Sequence, residues 1–149
     1  MTTAQGAAAP RRILIDTDPG IDDAMAIRYA LASPELEVVG LTTVFGNAHV
    51  DTCTTNALRI LDIAGRSHIP VAQGAARPLA MPYRGPADYV HGVNGLADVP
   101  LAAPTREAHP LDAAHFIIQP VMAAPGETTL VPTGHLTTVG ASSSESVRE

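Results

Sequence analysis

Four carboxylates fall within eight residues, Asp16-Thr17-Asp18-Pro19-Gly20-Ile21-Asp22-Asp23, directly after the apolar run Ile13-Leu14-Ile15. The run reads as a buried strand. The acids therefore stand at its carboxyl end, the edge at which open α/β sheets bind ligands. Pro19-Gly20 signals a turn. Asp22 then suits an N-cap, and Asp23 the first turn of a helix, where the helix dipole favours negative charge. That local duty accounts for Asp22 and Asp23. It leaves Asp16 and Asp18 unexplained, because a buried strand end is a costly place for unpaired charge. Acids this close either raise one another's pKa or share a cation. Oxygen-only donors favour a hard ion, Ca²⁺ or Mg²⁺, and a carboxylate beside a metal-bound water can act as general base. An EF-hand is excluded, since the twelfth position counted from Asp16 is Ile27 rather than Glu.

The rest of the chain supports that placement. The strand at 12–16 is followed by a helix predicted over 23–32, stopped before Ser33-Pro34. A strand is expected at 37–44, a helix at 50–64 ended by Gly65, and a strand at 70–73. Strands alternating with helices predict a parallel sheet with crossover helices. The Pro- and Gly-rich stretch 74–105 breaks the pattern and holds His91-Gly92-Val93-Asn94-Gly95; connections of that length are usually functional or disordered. A weak helix is expected at 112–124, kinked or split by Pro120, and a fourth strand runs from 128 into a turn at Gly134. After Gly140 the chain is polar and Ser-rich, and no closing element is expected there.

Composition narrows the class. Hydrophobic residues make up 46% and charged residues 16%, too apolar for a disordered chain. The basic residues are all Arg, and the net charge of -6 argues against a nucleic-acid binder. No apolar run approaches the ~20 residues of a membrane helix. Cys53 is alone, which excludes an internal disulfide and a Cys-based zinc site. Residues 1–11 carry no secretory pattern and read as a loose tail on a cytoplasmic protein.

The run Ile-Leu-Ile-Asp-Thr-Asp-Pro-Gly-Ile-Asp-Asp-Ala-Met-Ala-Ile (13–27) resembles the N-terminal signature of the inosine-uridine preferring nucleoside hydrolases. Thr42-Thr43-Val44-Phe45-Gly46-Asn47, His91-Gly92 with Gly95-Leu96, and Leu130-Val131-Pro132-Thr133-Gly134 follow in the family's order. The resemblance extends from about Arg12 to about Val139. It implies a mostly parallel, Rossmann-like α/β sheet with helices on both faces. It also implies Ca²⁺-dependent hydrolysis of the N-glycosidic bond of ribonucleosides to ribose and free base. Carried over by position, Asp18 is the general base. Asp16 and Asp23 bind Ca²⁺ with the main-chain carbonyl of Thr133. Asp22 and Asn47 hold ribose hydroxyls, and His91 lies toward the base. Homo-oligomers are frequent in the family and are an expectation here.

The chain also departs from the family. The resemblance covers the N-terminal half only, so 12–140 is expected to be part of a domain and 141–149 a non-family tail. The later Asp of the Ca²⁺ site, the Asn/Glu group on ribose and the His that assists the leaving base have no counterpart. Gly134-His135-Leu136-Thr137-Thr138 stands where Gly-Gly-Leu-Thr-Asn is usual. The remaining histidines, His49, His68, His109, His115 and His135, show no metal-like spacing and are assigned no role. Two rival readings stay open. The Asp-x-Asp after a first strand is shared with phosphohydrolases of the haloacid-dehalogenase type, although Gly20 and the absence of Lys do not suit them. The other rival is a non-catalytic Ca²⁺-binding fragment. With a parallel sheet incompletely covered, marginal stability or aggregation is expected.

Overall fold

A computed structural model describes residues 9–145; most of the expected N-terminal tail (1–8) and residues 146–149 lie outside the described residues. The elements follow in the order β1 (Arg11–Thr17), α1 (Ile21–Ala32), β2 (Leu36–Thr43), α2 (Val50–Ile63), β3 (Val71–Gln73), α3 (Asp88–His91), α4 (Ala113–Ala123), β4 (Thr128–Pro132) and α5 (Thr137–Glu145). The strands form one sheet in the order β3-β2-β1-β4, and every pairing is parallel. From β1 the chain winds outward through β2 to β3, then returns to lay β4 on the other side. Such a reversal opens a crevice at the carboxyl ends of the two strands flanking it, and β1 delivers the acidic turn into it.

Alternate residues of β1 face opposite sides of the sheet. Ile13 and Ile15 pack with Leu41 of β2, Val71 of β3 and the buried stripe of α1 and α2, Ile27, Ala57, Leu58 and Leu61. Leu14 faces Ala72 and the α4 residues Phe116 and Ile117. Helices therefore cover both faces, as expected. Gly40 has a packing reason: a Cβ there would stand 2.7 Å from the Phe116 ring. Gly65, at φ +66, ends α2 in a Schellman turn, with Gly65 N–H on Asp62 O and Arg66 N–H on Leu61 O.

Three expectations are corrected. α1 begins at Ile21 with Gly20 as its N-cap, so Asp22 is a first-turn residue and not the cap; Asp23 Oδ2 accepts the Gly20 N–H at 3.2 Å instead. Pro120 lies within α4, which continues to Ala123 unsplit. The chain does close with a helix, α5, although its propensity is poor. Thr138 and Ser142, four residues apart, are buried where α5 meets α4, and the Ser142 and Ser143 hydroxyls donate to the Val139 carbonyl. The serines thus satisfy their hydroxyls locally, whereas the buried Thr138 Oγ1 has no partner among the described residues. Among the described residues no helix is long and apolar enough to cross a membrane.

Candidate active site

The parallel register sets Asp16 of β1 beside Thr42 of β2, and the Thr42 hydroxyl donates to Asp16 Oδ1 at 2.7 Å. Asp16 is fully buried, and its Oδ2 has no hydrogen-bond partner. Burial pushes its pKa up to about 6 against the opposing Thr42 bond. Its carbonyl accepts the Thr133 N–H at 2.8 Å, which fastens the end of β4 to the site.

Asp18 is held between two glycines. A Cβ at Gly46 would lie 1.9 Å from its Oδ2, and one at Gly134 would lie 2.7 Å from its Oδ1. Only glycine lets the backbone approach the carboxylate on both sides. Asn47 N–H donates to Oδ2 at 2.9 Å and the Asn47 amide donates to the Asp18 carbonyl at 3.0 Å. Burial pushes the carboxyl up to about 7; the Asn47 bond opposes this, and the nearby charges of Asp23 and Asp22 add to it. An acid near 7 is suited to taking a proton at neutral pH.

Asp23 uses every lone pair it has. Its Oδ1 accepts from the Thr17 and Thr133 hydroxyls, both at 2.8 Å. Its Oδ2 accepts from Gly20 N–H and from the Asn47 amide at 3.0 Å. A cation at Asp23 must exchange with one of these donors. Asp22 is exposed, and its Oδ1 lies 4.0 Å from His91 Nδ1. That nitrogen accepts the Ile21 N–H at 3.3 Å.

Asp18, Asp22, Asp23, Asn47, Thr133, Gly134 and His135 line one open cleft of about 300 Å³. The fold thus brings the expected residues together, with two qualifications. Asp16 is buried and does not line the cleft, and His91 meets it through Asp22. Sequence reasoning missed Thr17 and Thr42, which satisfy the buried acids, and gave His135 no role. His135 lines the cleft and stacks on Phe45, centroids 4.5 Å apart. A hydroxyl residue flanking or in register with a buried acid is the signal that could have found the two threonines.

The donor set fits a hard cation in kind. It is all oxygen, and Asp16 Oδ2 is a buried acceptor without a hydrogen-bond donor, which a cation could satisfy. It falls short in number: among the described residues no three His, Cys, Asp or Glu side chains group to hold a metal. The Thr133 carbonyl and water would be needed beside Asp16 and Asp23.

A doubly wound parallel domain whose switch-point cleft is lined by carboxylates belongs to the class of α/β proteins that bind small polar ligands at the strand ends. Residues 13–145 match the profile of the inosine-uridine preferring nucleoside hydrolases, and the chain belongs to that family. It is 49% identical over 126 residues to uridine nucleosidase 1 of Arabidopsis thaliana, covering 85% of this chain and 38% of the relative. It is 42% identical over 134 residues to the inosine-uridine preferring nucleoside hydrolase of Leishmania major, covering 87% of this chain and 42% of that protein. A solved plant nucleoside hydrolase superposes with a TM-score of 0.87 at 45% identity, over 91% of this chain and 43% of its own. The chain spans about two fifths of the length of these relatives.

Proposed function

We propose that the cleft binds a ribonucleoside and supports hydrolysis of its N-glycosidic bond to ribose and free base, with Asp18 as the general base. The observation that carries this reading is the setting of Asp18. One oxygen is fixed by the Asn47 N–H, the carboxylate lines the cleft, and burial pushes the carboxyl up to about 7. Such a group can take a proton from water as the water oxygen bonds to the anomeric carbon and the C–N bond breaks. The electron pair of that bond leaves with the base, which takes a proton from solvent while Asp18 returns its own to solvent. Positive charge develops on the sugar as in glycoside cleavage, and the negative potential of Asp22 and Asp23 favours it. Asp22 and Asn47 line the cleft; both Asn47 amide hydrogens are given to the Asp18 carbonyl and Asp23, so the Asp22 carboxylate and the Asn47 Oδ1 are the groups that would accept from ribose hydroxyls.

Asp16, Asp23 and the Thr133 carbonyl are the groups that would hold Ca²⁺. When bound, such an ion lowers the pKa of a coordinated water and orients it.

The test is ribose release from inosine and from uridine by the purified chain, with Ca²⁺ or a chelator, beside Asp18→Asn. The expected result is Ca²⁺-dependent release that drops roughly 10²–10⁴-fold in the variant. Release indifferent to Asp18 overturns the assignment. Inorganic phosphate freed from a phosphate monoester, with no ribose release, moves the chain to the phosphohydrolase reading. Ca²⁺-dependent stabilisation without turnover makes it a binding fragment.

A further inference from the structure

Asn56 belongs to α2 and is completely buried. Its amide nitrogen donates to two carbonyl oxygens from separate segments. One is that of Pro19 in the acidic turn, at 3.3 Å, and the other is that of Asn94 in the long loop, at 2.8 Å. Both partners are acceptors, so the amide orientation follows from chemistry. Its Oδ1 is buried with no partner. Leaving a buried acceptor unmet is unfavourable, and an apolar residue of similar size would avoid it. What Asn56 supplies is the pair of donations.

The loop it grips is a rigid knot. Asn94 Oδ1 accepts from Leu96 and Asp98 N–H, Asp98 Oδ1 accepts from Asn94 N–H, and Ala97 N–H donates to the His91 carbonyl at 2.7 Å. Gly95, at φ +76, lets the knot touch α2, because a Cβ there would stand 3.0 Å from Asn56 Nδ2 and 3.4 Å from the Pro19 carbonyl. A second tie between knot and turn is the Ile21 N–H donated to His91 Nδ1, with Asp22 Oδ1 4.0 Å from the same nitrogen. That bond keeps Nδ1 an acceptor and places the proton of the neutral ring on Nε2.

We infer that Asn56 is a positioning residue: by clamping the Pro19 carbonyl and the Asn94 carbonyl together it sets the register of loop and turn in which His91 accepts the Ile21 N–H. His91 is thereby fixed in one tautomer, with Nε2–H as a donor toward the ligand side. That last role rests on the nucleoside reading of the cleft; the clamp and the tautomer do not.

The experiment is ¹⁵N NMR of the imidazole rings in wild type, Asn56→Leu and Gly95→Ala. Asn56→Leu removes both donations and the orphaned oxygen at nearly constant size, so folding and positioning separate. Gly95→Ala keeps both Asn56 donors and instead crowds the buried contact between the knot and α2, where a Cβ would meet Asn56 Nδ2 and Ala48 Cβ. Wild type should show His91 as a single Nε2–H tautomer. Both variants should lose that single-tautomer pattern while the other histidines keep theirs. A His91 that stays Nε2–H in folded Gly95→Ala overturns the inference, whatever the fate of Asn56→Leu. If both variants lose the pattern but bind and turn over uridine as wild type does, the clamp stands and the ligand role of His91 falls.

Discussion

β1 has a neighbour on each side, and the two flanks are built differently. On one side β2 pairs with it along its whole length, from Arg11 to Thr17, and the end of β2 from Gly40 to Thr43 is buried. On the other side β4 is an edge strand that pairs only from Arg12 to Asp16, and none of its residues is buried. Behind β4 an apolar groove of about 270 Å³ runs between α4 and α5, lined by Ile117, Val121, Leu130 and Val139 among others. The candidate site draws on both flanks. Thr42, Gly46 and Asn47 come from the β2 side, and Thr133 and Gly134 from the β4 side. The acids therefore rest on one solid wall and one thin one.

The sharpest test of that contrast is a pair of truncations. Leu41→Ala, in β2 with no exposed surface, should cost about 2–5 kcal/mol in urea unfolding. Leu130→Ala, half-buried in β4, should cost roughly 1 kcal/mol, since less apolar surface returns to water. Equal costs would show that the flanks are equally packed. The second pair reads the polar contacts. Thr42→Val takes the only hydrogen bond to the Asp16 carboxylate among the described residues and should cost about 1–3 kcal/mol. Thr133→Val removes one of four donors to Asp23 and should cost about 0.5–1 kcal/mol. The reverse order in thermal unfolding would break the comparison.

The smallest effect concerns the start of α4. Asp112 caps the helix by accepting from Ala114 and His115 N–H, and its Oδ2 meets the His115 ring. Partial burial works to raise its pKa, but the His115 bonds outweigh it, and the carboxyl sits below 3.8. A depressed acid contributes stability above its unfolded value that is lost as pH falls through the folded one. Asp112→Ala should therefore cost about 1 kcal/mol at neutral pH. The gap to wild type should close on acidification below pH 3.8. A gap independent of pH would assign the effect to helix propensity alone.

The strand and helix order was legible because apolar runs alternate with Gly, Pro and Ser punctuation. The acidic turn was legible because Asp16 and Asp18 had no local duty to excuse them. α5 was not legible: Thr137, Thr138, Gly140 and three serines argue against a helix, and packing on α4 overrides them. The N-cap was misplaced by one turn signal, since Gly20 can cap without a side chain while Asp23 reaches back to it. Thr42 and Asn56 act through long-range register and tertiary contact, which no local pattern carries. His135 was passed over because spacing along the chain says nothing of its seat on Phe45 across the cleft.

The bond between Thr133 and the Asp16 carbonyl joins residues 117 positions apart. In a chain made at about 5–20 residues per second, the acids leave the ribosome of the order of ten seconds before the strand that fastens over them exists. Throughout that interval β1 has one partner at most, and closing so long a loop is slow even afterwards. Seating β4 is thus the last event that converts a hydrated acidic turn into a walled cleft, and the pace of synthesis sets when the site can first exist.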